Sequence, residues 1–349
     1  MFYKIKALAG IKIHLHCFEY GREHSETLEK YCYSVNYYKR FSGLKYFIQK
    51  KPYIVCTRSN RHLEAILLND DYPILFEGIH TTYLLNNKKF NDRIKIVRTH
   101  NIEHEYYYNL YRNDNSFIKK YFFKYEAKKL KSYENILINA SSIASISKND
   151  YIYFNYKYSN VYHIPAFHPY ESIKSIPGKG DYVLYHGNLS VGENIYAALF
   201  LINKIFKNID IPFIIAGRNP DKKIKNEVFK YNNISLKSNL KNEELTELIL
   251  DAHINILPAF QGTGLKLKLL TAIFNGRHCI VNNTMVQNTG LENFCSIKNT
   301  AEEIKTEITR LFKIPFTSEQ IEKRKKILYS QFSNIENAKK IIKLLNIPK

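Results

Sequence analysis

A chain of 349 residues with 45% hydrophobic content carries enough apolar side chains for two cores of ordinary domain size. Fifty-two Lys and Arg against 32 Asp and Glu give a formal charge of +20, which suits nucleotide phosphate, nucleic acid or a membrane surface without choosing among them. Five scattered cysteines (Cys17, Cys32, Cys56, Cys279 and Cys295) with no Cys-x-x-Cys or zinc-like spacing argue against a disulfide framework and a structural metal, and predict a reducing compartment.

Apolar strand-like runs and helical segments alternate down the chain, the pattern of parallel sheets covered on both faces. The opening MFYKIKALAG reads as the end of a helix. Strands are then expected at Ile11 to Phe18, Tyr53 to Thr57, Pro73 to Phe76, Ile94 to Thr99 and Ser142 to Ile146, with a long helix from Phe117 to Asn135. The stretch from Pro165 to Gly180 is rich in proline and glycine, lacks periodicity and reads as a domain boundary. Beyond it, strands at Tyr182 to His186, Pro212 to Ala216, Ile234 to Leu236, Ile254 to Leu257 and Cys279 to Val281 alternate with helices starting near Asn194, Lys222, Asn242 and Leu265. From Thr317 the tail reads as polar helices broken near Ser333. The expected organisation is therefore two Rossmann-like α/β domains, residues 1–166 and 167–317, with C-terminal helices at 318–349 returning towards the first domain. The first domain lacks the buried opening strand of a complete Rossmann unit, so a further strand upstream of Met1 is expected.

No apolar run is long enough to span a bilayer, and the N-terminus lacks the apolar core of a signal peptide. The expected location is cytoplasmic, with a basic surface able to rest on the anionic inner face of the cytoplasmic membrane.

The segment Ile254 to Val281 strings together the parts of a phosphate site. A strand ends at Pro258, a Gly262-Thr263-Gly264 turn follows, and Lys266 and Lys268 open an apolar helix that Gly276 stops. Glycines there permit positive φ and close backbone approach, so N–H groups at the helix start can face an anion. Lys266 and Lys268 point about 200° apart on a helix, so one of them faces the ligand; Lys266 is the closer to the turn.

These residues resemble the retaining glycosyltransferases of the GT-B fold, family 4 group. The resemblance runs through Tyr185-His186-Gly187-Asn188-Leu189-Ser190 with Asn194, through Ala216-Gly217-Arg218, through the glycine pair and helix from Gly262 to Ala272, and through Arg98-Thr99-His100-Asn101-Ile102-Glu103-His104. It implies two facing Rossmann-like domains with a cleft between them. It further implies transfer of a sugar, with retention, from a nucleoside-diphosphate sugar to a glycan or lipid-linked acceptor in surface polysaccharide or glycoconjugate synthesis. The nucleotide-sugar is a substrate; no other cofactor, metal or nucleic acid is expected.

By the same resemblance, donor binding falls to Gly187, Asn188, Arg218, Gln261, Gly262, Thr263, Gly264, Lys266, Lys268 and Thr271. Preorganised N–H groups and cations of this kind stabilise a departing diphosphate. His100, at a strand's carboxyl end, is the candidate catalytic residue, orienting a sugar rather than moving a proton. Glu103, His104, Glu77 and His80 are acceptor-side candidates. Two family glutamates are replaced, by Gln261 and Thr271, and the usual Arg and Lys of the first loop in the second domain are absent; a weak or inactive relative is the alternative. A dinucleotide-dependent oxidoreductase would need an early Gly-x-Gly-x-x-Gly turn, which is missing. A basic nucleic-acid-binding protein remains compatible with the charge but shows no binding motif.

Overall fold

The computed structural model describes residues 1–21, 24–114, 116–260 and 267–346. The chain forms two compact α/β units, with breaks between Pro169 and Tyr170 and between Gln331 and Phe332. The last helix, Asn334–Leu344, thus belongs with the N-terminal residues.

In the N-terminal unit, β1 (His14–Phe18) and β2 (Ser34–Tyr38) form a parallel pair. A second parallel sheet takes β3 (Ile74–Glu77), β4 (Lys95–Thr99), β5 (Ser142–Ser145) and β6 (Val161–His163) in that order. Strands β4 and β5 are buried at every position, as their place in the middle of the sheet requires. One face of this sheet packs Ile96, Ala144 and Ile164 against Leu8 from the N-terminal helix Phe2–Ala7 and its C-cap, and against Ala338, Ile341 and Leu345 from the last helix. The other face packs Phe76, Val97 and Ile143 against Leu137 and Phe154.

The expected strand at Tyr53 to Thr57 is instead a turn of helix, Tyr53–Cys56. Its start follows Pro52, and the backbone N–H of Ile54 donates to the buried Glu126 carboxylate at 2.9 Å, an anion at a helix N-terminus. A four-residue apolar run of which Ile54, Val55 and Cys56 are all buried carries no periodicity to separate the two states. Strands β2 and β6 lie outside the expected set, and the first strand begins at His14 rather than Ile11.

The C-terminal unit has one parallel sheet. Its strands are β7 (Val183–Asn188), β8 (Phe213–Arg218), β9 (Ile234–Ser238), β10 (Ile254–Leu257), β11 (His278–Val281) and β12 (Ser296–Ile297), in the order β12-β11-β10-β7-β8-β9. The chain winds outward from β7 to β9 and then returns to the other side of β7, so the winding direction reverses between β7 and β10. Gly217 lies opposite Gly187 in register. A Cβ on Gly217 would stand 1.9 Å from the Gly187 carbonyl oxygen, so any side chain there would push β7 and β8 apart.

The helix Leu267–Asn275 is closed at its C-terminus by Arg324. The Arg324 guanidinium, 2% exposed, donates to the carbonyls of Ile273 at 3.0 Å and Gly276 at 2.6 Å and to Ser175 Oγ at 3.0 Å. A cation at this end satisfies orphan carbonyls and opposes the helix dipole.

A buried neutral histidine and a buried ion pair each contribute measurably to stability. In the C-terminal unit His278 Nε2 donates to the Ile314 carbonyl at 3.0 Å, and burial lowers its pKa to about 4. The unfolded chain takes up this proton near pH 6.5, before the folded protein does. The stability contributed by the neutral ring is therefore present above pH ~6.5 and lost as pH falls towards 4. His278→Gln, which keeps a donor, should flatten the pH dependence of the melting temperature across that window.

In the N-terminal unit Lys4, 6% exposed, contacts the Glu77 carboxylate and anchors helix Phe2–Ala7 to the end of β3. Removing one partner of a buried pair typically costs about 3–5 kcal/mol because the other charge is stranded. Lys4→Met should therefore destabilise more than the double variant Lys4→Met/Glu77→Gln, as read from urea unfolding of the four members of the cycle.

Candidate functional site

Both units bring polar side chains to the carboxyl ends of their parallel strands. In the N-terminal unit Glu77 closes β3 and pairs in register with Arg98 of β4. One Glu77 oxygen meets Lys4 and the other lies 3.1 Å from His100 Nε2. Burial acts to raise the Glu77 pKa, but Lys4, His100 and Arg98 outweigh it and hold the carboxyl well below the ordinary carboxylate range. An anionic Glu77 fixes the His100 ring by accepting from it, leaving Nδ1 as the ring's other polar atom.

Gly78 has φ of +84°, and a Cβ there would lie 2.5 Å from the His80 ring, so glycine is what lets the chain turn beneath that ring. His80 sits edge-on to His100, with ring centroids 6.1 Å apart. Burial first, then Arg58 and His100, lower its pKa to about 3, so His80 is neutral. Glu103, in the first turn of helix Glu103–Asn113, has a raised pKa through burial, opposed by His100, Asn101 and Arg58.

Glu77, His80, His100 and Glu103 thus form one electrostatically coupled group. His104 does not join it: its Nδ1 lies 3.2 Å from Glu134, which also binds Lys157 at 2.7 Å and Tyr153 at 2.8 Å. Sequence reasoning missed Lys4, Arg58 and Asp150. Arg58 faces a lowered pKa of about 10 by burial, and Asp150 a raised one of about 6, by burial, with Glu105 and Glu103 adding to it. None lies in a recognisable motif, and only the tertiary fold draws them near His100.

In the C-terminal unit the reversal between β7 and β10 is a topological switch point, where open α/β sheets bind ligands beyond the strand ends. Gly187 and Asn188 end β7 there, and the chain leaves β10 through Ala259, whose N–H and C=O are both bonded to the Asn282 side chain, at 3.0 and 2.7 Å. Phe260 packs against Tyr196 and Phe200. Gln261, Gly262, Thr263, Gly264 and Lys266 lie outside the described residues.

Lys268 is described, and its ammonium donates to Asn194 Oδ1 at 3.0 Å and stands 5.3 Å from the centre of the Tyr185 ring. Asn194 is the hub: its Nδ2 donates to the Asn188 carbonyl at 3.0 Å, its Oδ1 also accepts from Tyr185 at 3.3 Å, and its amide packs on Gly187. The hub joins the end of β7, the start of helix Gly192–Lys204 and the first turn of helix Leu267–Asn275. Next to it, His186 is held neutral by burial and then by Lys268, with a pKa lowered to about 3.

Arg218 ends β8 in the open and donates to Asn242 at 3.2 Å. Thr271 Oγ1 accepts from Tyr170 at 2.7 Å and donates to the Leu267 carbonyl at 2.9 Å, so its only proton is already committed. Among the described residues no three His, Cys, Asp or Glu side chains converge as a metal ion would require.

No protein-family model matches the chain. The "Uncharacterized 44.6 kDa protein in cps region" of Klebsiella pneumoniae is 30% identical over 267 residues, covering 72% of this chain and 68% of that protein. Sucrose-phosphate synthase from Thermosynechococcus elongatus superposes with a TM-score of 0.70 at 14% identity, covering 99% of this chain and 91% of its own. TarM from S. aureus, crystallised with UDP, fondaparinux and α-GlcNAc-glycerol, gives a TM-score of 0.53 at 16% identity over 78% of this chain. The chain spans 55% of the TarM length. On its sequence the chain belongs to the family of the Klebsiella cps-region protein, and its two parallel α/β units have the GT-B fold of the glycosyltransferases.

Proposed function

We propose that the protein transfers a sugar from a nucleoside-diphosphate sugar to a glycan or lipid-linked acceptor, with retention, in capsule or other surface-polysaccharide synthesis. The observation that carries this reading is the switch point of the C-terminal unit, where a lysine is fixed against the end of β7 by Asn194 and Tyr185. A diphosphate requires what that place can offer: the bare backbone of Gly187 for close approach, a backbone donor at Asn188 and the charge of Lys268, with Arg218 beyond. Gly262, Thr263, Gly264 and Lys266 complete the proposed phosphate cradle, and Gln261 a contact to the donor sugar. The UDP in the TarM crystals and the cps-region relative support the donor class and the setting.

On the acceptor side His100 is the proposed catalytic residue. Glu77 holds its ring, so His100 orients a sugar hydroxyl, while Glu103 and neutral His80 shape the surrounding polarity. His104, committed to Glu134, would contribute by fixing helix Glu103–Asn113. Thr271 has no proton left for a ribose oxygen and could only accept from a ribose hydroxyl. That favours a second reading: nucleotide binding with slow turnover, the family's glutamates being replaced.

The test is thermal shift and calorimetric titration with a panel of nucleoside diphosphates, followed by transfer assays with the sugars of whichever base binds. At least one diphosphate should raise the melting temperature. Removing a charge-assisted hydrogen bond typically costs about 1.5–3 kcal/mol, so of Lys266→Ala and Lys268→Ala the one that removes the lysine facing the ligand should weaken that binding roughly ten- to a hundredfold, and the other should change it little. His100→Ala should leave nucleotide affinity near that of the parent and slow transfer. If both lysine variants bind as tightly as the parent, the phosphate site lies elsewhere. Tight binding without turnover of any donor would support the second reading.

A further inference from the structure

Helix Phe117–Tyr133 of the N-terminal unit shows the opposite of an ordinary solvent face. At 100° per residue, Phe117, Ile118, Tyr121 and Tyr125 share one side with Lys124 and Lys128. The other side buries Glu126, Ala127 and Leu130. Phe117 is 85% exposed, Ile118 82% and Tyr121 68%, although nothing in the helix compels large apolar residues at solvent positions. The helix's only acid, Glu126, is fully buried on the backbone of Ile54.

An adjoining segment extends the surface. Phe47 lies 5.3 Å from the Tyr125 ring and 5.5 Å from that of Phe122, and Lys129 donates to the Gln49 carbonyl at 2.6 Å. That segment exposes Leu44 and Ile48, at 74% and 72%, beside exposed Lys45 and Lys50. Between Glu29 and Glu64 the chain has no acidic residue at all. A contiguous apolar patch on a water-exposed surface marks an interaction site.

We propose that this face docks on an anionic phospholipid bilayer. Phe117, Ile118, Leu44 and Ile48 enter the boundary between headgroups and acyl chains, and Lys124 and Lys128 pair with headgroup phosphates, their stems lying along the apolar surface. The charge complementarity selects the occupant: a surface with lysines interleaved among aliphatic side chains and no exposed acid fits negative headgroups over hydrocarbon. A single-stranded nucleic acid would use the aromatic rings for stacking but would leave Ile118, Leu44 and Ile48 in water. No described helix is long and apolar enough to cross a membrane, and the proposed contact is made by this face alone. It does not depend on the identity of the sugar donor.

The experiment is sedimentation of the full chain with vesicles of phosphatidylcholine alone or mixed with phosphatidylglycerol, at low and high salt. Binding should require phosphatidylglycerol and weaken with salt. A lysine near an anionic surface is worth about 1 kcal/mol, or fivefold, so Lys124→Gln/Lys128→Gln should bind roughly thirtyfold more weakly. Lys124→Arg/Lys128→Arg should bind as the parent does, and Phe117→Ser/Ile118→Ser should lose binding with an unchanged melting temperature, its side chains being exposed. Equal sedimentation with both vesicle types, or full binding by the glutamine variant, would overturn the proposal. So would self-association of the parent in gel filtration that Phe117→Ser/Ile118→Ser abolishes.

Discussion

A parallel sheet covered on both faces leaves its strand ends as the main place where polar chemistry can meet water and ligand. Both units of this protein obey that constraint. Strands β4, β5, β10 and β11 are buried at every position, and β7 opens to solvent only at its final residues, Gly187 and Asn188. The candidate functional groups follow from this, because the backbone brings them to strand ends before any side chain chooses a partner.

Placing a carboxylate at such an end carries a desolvation cost that has to be offset. Glu77 is offset by Lys4, His100 and Arg98 together, and the three compensations have different consequences. Lys4 ties a short N-terminal helix to the sheet. His100 acquires a defined ring orientation. Arg98 reaches past the strand to the Pro165 carbonyl at 2.9 Å and covers Phe167. One buried charge thereby couples local stability to the geometry proposed for acceptor handling, and a change at Lys4 would be felt at His100 without touching it.

The C-terminal unit solves a different problem, close approach of backbone. Gly187 and Gly217 face each other across β7 and β8, which removes side chains from the strand ends and lets the Asn194 amide lie directly on Gly187. Asn194 then distributes its hydrogen bonds among Asn188, Tyr185 and Lys268, holding a cation where the winding of the sheet reverses. At the far end of the same helix Arg324 supplies the balancing positive charge on its terminal carbonyls. The helix that carries Lys268 is thus fixed at both ends.

The alternation of apolar runs with helical segments determined the fold class by itself, because strands buried on both faces must be continuously apolar and their connections long enough to cross over. Gly187 and Gly217 stand in segments that the family resemblance singles out, and the close approach of β7 to β8 is the physical reason they are glycines. Three things depended on tertiary structure. Tyr53–Cys56 is helical because Glu126, more than seventy residues away, receives its first N–H groups, and no periodicity in so short an apolar run encodes that. Lys4, Arg58 and Asp150 join His100 only through packing of distant elements. The separation of His104 from His100, two residues of one motif, was likewise decided by the partner across the helix: Glu134 captures one ring and Glu77 the other, and a carboxylate's reach is a property of three-dimensional distance that spacing along the chain does not contain.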